Sequence, residues 1–226
     1  MNFRHQPLVL RLIILMGGLF LYAVGLILCI QADIGYMPWD VFHKGVSLQT
    51  GLSIGRISIL TGAAIVVFNL FMKEKVGIGT ILNVIFIGSF MDLILESGLI
   101  PKMDGLLPGI LMMLAGLLVI GFATYFYIAA GFGAGPRDGL MLALLRITGK
   151  DVALIRNGME IVVTIFGFFL GGPVGLGTLL TALTMGFFVK LSFSLFNFDS
   201  AKVEHQYLNL GFLNGSRNKA DRKLVE

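Results

Sequence analysis

Residues 35–42 read GYMPWDVF and residues 133–140 read GAGPRDGL, so Gly35, Pro38 and Asp40 precede Gly133, Pro136 and Asp138 by the same 98 residues. Proline at the first position of a helix gives up an N–H that would be unpaired anyway, and an aspartate two residues later offsets the positive end of the helix dipole. About a dozen residues after each proline the chain reads Thr-Gly, at Thr50-Gly51 and Thr148-Gly149, and glycine can end a helix. Two short helices are therefore expected, each reaching only about 20 Å at 1.5 Å per residue, too little to cross a bilayer. Such a helix either lies on the membrane surface as an ordinary capped element or dips in as a half-helix. In the second case its N-terminal N–H groups face an anionic or polar solute, and GLMLALL makes the second copy apolar enough to dip. Trp39 suits an interfacial aromatic position and Arg137 a cytoplasmic loop.

Three ionisable residues fall inside long apolar runs: Asp92, Glu160 and Lys190. A charge at the centre of a span costs at least about 2.5 kcal/mol, so each needs a partner or a wet cavity. Glu160 follows Arg156 by four residues, which puts both on one helix face, and it is the deeper of the two and the leading carboxylate for function. Asp92 is expected to reach Arg56, and Lys190 to reach Asp138 or Glu160, as gates, as static ties or, for Lys190, as a snorkelling end. Asn69, Asn83 and Asn157 add groups that can bridge helices or line a path. Enzyme chemistry finds no constellation. His5, His43 and His205 lack metal-ligand spacing, no serine sits in a nucleophile elbow, and the two deep aspartates that an intramembrane hydrolase needs are absent. The sequence calls for neither metal nor cofactor.

These residues must be carried by membrane spans. Of the 226 residues 56% are hydrophobic and 13% charged, and the mean hydropathy is +0.89, far from the globular average. The one cysteine, Cys29, lies in an apolar run. Six runs approach the required length: Leu8 to Ile30, Ser58 to Met72, Gly77 to Leu95, Leu107 to Ala130, Val152 to Leu170 and Val174 to Phe196. The second is the shortest and must borrow Ile54 to Ile57. With both termini inside, the cytoplasmic face collects Arg4, Arg11, Lys73, Lys75, Arg137, Arg146, Lys150, Arg156 and every basic residue from Lys190 onward, leaving only Lys44, Arg56 and Lys102 outside. That asymmetry follows the positive-inside rule and supports the count of six spans. Residues 198–226 form a polar cytoplasmic tail.

The 98-residue offset does not stop at the turns. It also aligns Gly18 with Gly116, VGIGT (Val76 to Thr80) with VGLGT (Val174 to Thr178), and Gly88 with Gly186. Glycine, proline, aspartate and threonine in fixed register are backbone and polar demands that lipid alone does not impose. The fold class is therefore all-α membrane protein: six transmembrane helices in two three-helix repeats, residues 1–98 and 99–197, with a short Pro-initiated helix between the first and second spans of each. Three is odd, so the second repeat enters from the opposite side and the repeats are inverted, an arrangement used by secondary transporters. Gly77, Gly79 and Thr80, with Gly175, Gly177 and Thr178, suit a close backbone approach or a helix cap better than ligand contact.

GYMPWD, GAGPRDGL, VGIGT and GGPVGLGT together resemble the YczE/YyaS/YitT group of bacterial integral membrane proteins, most closely its YczE-like branch, up to about Phe196. The resemblance implies a bacterial inner-membrane location and carries over no substrate or reaction. The expectation is a small secondary transporter or exporter of a polar or anionic solute, with its site near Glu160, Asn157 and the two Pro-x-Asp helices. The competing reading is a non-transporting scaffold or accessory protein. The lipid bilayer is the expected partner, nucleic acid is not, and a homodimer is open to it.

Overall fold

A computed structural model describes residues 6–200, together with 203 and 207. Arg4, His5, His205 and most of the tail lie outside the described residues. Eight helices are present among the described residues: α1 (Leu8–Gln31), α2 (Pro38–Thr50), α3 (Ile54–Phe71), α4 (Ile78–Ser97), α5 (Leu106–Ala129), α6 (Pro136–Thr148), α7 (Val152–Phe169) and α8 (Leu176–Leu195). Every boundary in α5–α8 is that of α1–α4 moved by 98 residues. Six of the eight are long and apolar enough to cross a membrane; α2 and α6, at 13 residues each, are not. The chain folds as two inverted three-helix repeats, each with its short proline-initiated helix.

Local chemistry explains the short helices. Pro38 and Pro136 occupy the first turn, and Gly51 and Gly149 end the helices at φ +74° and +64°, where a side chain would be strained. The borrowed residues Ile54 to Ile57 do open α3, behind the N-cap Ser53.

α1 and α5 form the centre. A Cβ on Gly25 would meet Gly116 O at 2.8 Å, and one on Gly116 would meet Gly25 O at 2.8 Å and Cys29 Sγ at 2.8 Å. A Cβ on Gly18 would meet Ala123 O at 3.4 Å, the same contact with the repeats exchanged. Small residues thus let two backbones touch where no hydrophobic effect drives helices together. Around this pair α2 packs on α7 and α6 on α3, while α4 packs on α1 and α8 on α5. The symmetry fails most clearly at one seam: α3 packs along α4, but α7 makes no comparable contact with α8.

The repeats also grip each other through backbone. Gly79 N–H donates to Phe132 O at 2.8 Å, and its counterpart Gly177 N–H donates to Ile34 O at 2.7 Å. Thr80 Oγ1 accepts from Gly77 N–H and donates to Ala134 O at 2.6 Å, and Thr178 Oγ1 accepts from Gly175 N–H. Gly133 (φ +116°) lies against Gly77, and Gly35 (φ +106°) against Gly175, each too close for a side chain. Each Gly-x-Gly-Thr segment therefore holds the loop that leads into the other repeat's proline helix.

Candidate functional site

The loops so held aim the N-termini of α2 and α6 at each other. Arg137 Cζ lies 4.4 Å from the centre of the Trp39 ring. These two residues are counterparts at the 98-residue offset, and counterparts touch only on the pseudo-two-fold axis. That corrects two expectations: Trp39 is not an interfacial anchor, and Arg137 is not in a peripheral loop. The first turns of α2 and α6 therefore border the same point, and the guanidinium over the indole ring holds them there.

A cavity of about 340 Å³ surrounds this meeting point and takes walls from all eight helices. Asp40, Asp138, Arg137, Arg156 and Glu160 supply its charge; Tyr22, Tyr127, Ser58, Thr61, Asn83 and Thr124 supply neutral polar groups. Pro38 and Pro136 line it at the helix starts. Arg156 Nε and Glu160 Oε1 are 3.6 Å apart, the pair expected from their spacing.

The two aspartates sit differently. Asp138 Oδ2 accepts from Gly135 N–H at 3.2 Å and from Tyr127 Oη at 3.4 Å. On α6, which does not span, burial raises the Asp138 pKa above the ordinary carboxylate value, while Arg156, these two hydrogen bonds and Arg137 oppose the rise. Asp40, 2% exposed, instead accepts from His43 Nδ1 at 3.2 Å. Burial lowers the His43 pKa, against its bond to Asp40, and its Nε2 has no hydrogen-bond partner among the described residues. A cavity wall with separated carboxylates, guanidinium groups and phenols can bind a small solute that presents both charge and hydrogen-bonding groups.

Several sequence expectations end elsewhere. Asp92 does not pair with Arg56: Ser53 Oγ donates to Asp92 Oδ2 at 2.5 Å and Gly55 N–H to Oδ1 at 2.8 Å, while Arg56 is exposed. The short carboxylate caps the start of α3, whose N–H groups lie nearer than the long Arg56 side chain. Lys190 is exposed and off the cavity, so it reaches neither Asp138 nor Glu160. Asn157 is exposed and does not line the cavity, because it faces away from the side that carries Arg156 and Glu160. Asn69 bridges helices, its Nδ2 donating to Pro136 O at 2.8 Å.

Sequence reasoning passed over His43, Tyr22 and Tyr127. For His43 a signal existed, since it follows Asp40 by three residues on one helix. Tyr22 and Tyr127 come from the central helices and had none. Arg11, counted only as an inside charge, is 5% exposed; its Nε and Nη2 donate to Ala130 O at 3.0 and 2.8 Å, and its guanidinium lies over Phe132.

Comparison with known proteins places this geometry in a family. Residues 9–193 match the family of unknown function DUF6198. The chain is 38% identical over 189 residues to the uncharacterized membrane protein YczE of Bacillus subtilis (strain 168), covering 83% of this chain and 87% of that protein. It is 34% identical over 177 residues to an uncharacterized protein of Haemophilus influenzae, covering 78% and 80%, and 28% identical over 169 residues to YyaS of Bacillus subtilis, covering 73% and 83%. No solved structure matches. With its paired proline helices, six spans and these relatives, the chain belongs to the DUF6198 family, within the YczE-like group of bacterial integral membrane proteins.

Proposed function

We propose that the protein is a small secondary transporter or exporter that carries a polar or anionic solute through the central cavity, rather than an enzyme. The observation that carries this reading is the convergence of two short proline-initiated helices from opposite repeats on one charged cavity at the pseudo-two-fold axis. In inverted-repeat transporters, binding at that depth lets the same residues face either side when the repeats exchange conformation. Arg137 and Arg156 would attract an anionic group, Asp138 and Glu160 would hold a donor or a proton, and the tyrosines and Asn83 would set orientation. The positive-inside distribution supports both termini in the cytoplasm of a bacterial cell.

The test is uptake and efflux profiling of cells lacking or overproducing the protein, with Asp138→Asn and Glu160→Gln as variants of matched abundance. The expected result is a flux that depends on the protein and falls about tenfold or more in Asp138→Asn, the change expected when a buried charged contact is lost. A scaffold or accessory protein would support no such flux at any expression level.

A further inference from the structure

The repeats share one helix register but not one seam. In the first repeat α3 and α4 are shut against each other at Gly55 and Gly88, where a Cβ on either would run into the other's carbonyl oxygen. Asp92 fastens this seam through Ser53 Oγ and Gly55 N–H, at 2.5 and 2.8 Å. The matching seam between α7 and α8 stands open. Gly186, the counterpart of Gly88, has nothing within 4 Å of an added Cβ, and Lys190, the counterpart of Asp92, is exposed.

The second repeat nevertheless carries a fastener, with its carboxylate moved to the other helix. Asp151 stands where the first repeat has Ser53, and Lys190 where it has Asp92. Asp151 Oδ1 accepts from Ala153 N–H at 2.9 Å, the N–H equivalent to that of Gly55. Helix α7 thus caps itself with a group that α3 takes from across its seam, which leaves position 190 to a cation. Ala153 replaces Gly55, and its methyl keeps the two backbones from the approach seen in the first repeat. A wider seam needs a longer arm, and lysine has one where aspartate does not.

We propose that α7 and α8 close on each other in a second conformation, fastened by the Lys190 ammonium on the Asp151 carboxylate, in exchange for opening of the α3–α4 seam. The purpose of this closure rests on the transport reading above, since exchange of a closed seam between inverted repeats moves the cavity's opening to the other side. The closure itself is a property of the chain.

The experiment is cross-linking of Ala153→Cys with Gly186→Cys by a short bismaleimide, in the full chain in native membranes with Cys29→Ala. The expected product needs both cysteines. It falls about fivefold in Asp151→Asn, returns in the Asp151→Lys, Lys190→Asp exchange, and rises in Asp92→Asn, which weakens the opposing fastener. The exchange variant keeps the ion pair and covers the case in which Asp151→Asn folds poorly. No product above either single cysteine, or equal product in parent, Asp151→Asn and Asp92→Asn, overturns the proposal. Cross-linking that follows the charges in a protein supporting no flux would leave the closure standing and remove the transport reading. A protein-dependent flux without cross-linking would do the reverse.

Discussion

Asp138 and His43 give the fold opposite dependences on pH. For Asp138 the folded pKa is raised above the ordinary 3.8 by burial, so the folded chain holds the proton more tightly than the unfolded one. Its contribution to stability is fully present below that ordinary value and is lost as pH rises through the raised one. His43 runs the other way: its pKa is lowered from 6.5, so its contribution is present above 6.5 and is lost as pH falls through the lowered value. Asp138→Asn removes the first effect and keeps the second. Thermal unfolding in detergent across roughly pH 4 to 7 should therefore show the parent losing stability relative to Asp138→Asn as pH rises. A constant gap, or a parent that gains on the variant, would contradict the placement of Asp138 at a poorly solvated wall. Around it stand Arg156 on α7 and its neighbour Arg137, whose charges oppose the rise, and Tyr127 on α5, whose hydrogen bond does the same.

Among the elements, the α1–α5 pair bears the rest of the molecule. Its contact is made at Gly25 and Gly116, with Met113 O accepting from Cys29 Sγ at 3.8 Å beside it. Gly25→Leu should force the central helices apart and lower stability by about 1–3 kcal/mol, the usual cost of overpacking, measured by unfolding in mixed micelles. Gly17→Leu is the control, because an added Cβ there meets nothing within 4 Å. Equal effects of the two would show that the central contact is looser than these distances. The elements were largely legible in the sequence: the proline starts, the Thr-Gly ends and the apolar runs fixed all eight helices, because each rests on local backbone chemistry. Their pairing was not. Nothing along the chain says that Asp92 turns to Ser53 and Gly55 rather than to Arg56, since that choice depends on how closely α3 lies against α4.

For the whole molecule, inversion is the property with the widest consequence. Leu52 and Lys150 are exposed counterparts at the ends of the two short helices. Leu52→Cys and Lys150→Cys, each in a Cys29→Ala background, should react with a membrane-impermeant maleimide from opposite sides: Leu52→Cys in intact cells, Lys150→Cys only after permeabilisation. Labelling of both from one side would remove the inverted relation and with it the basis for alternating access. The same inversion sets off the strongest departure from symmetry, a closed α3–α4 seam opposite an open α7–α8 seam.

The sequence by itself determined the six spans, the short helices, the duplication and its inversion, because hydropathy, proline and glycine geometry and an odd span count act locally or by simple counting. It also brought Arg156 to Glu160, whose spacing on one helix decides their distance. Only the tertiary structure decided that Trp39 and Arg137 meet on the axis, that Arg11 is buried against Ala130, and that Lys190 and Asn157 face away from the cavity. Those outcomes depend on the rotation and separation of helices far apart in the chain, and such quantities are set by the fit of small residues across interfaces rather than by the order of residues along any one helix.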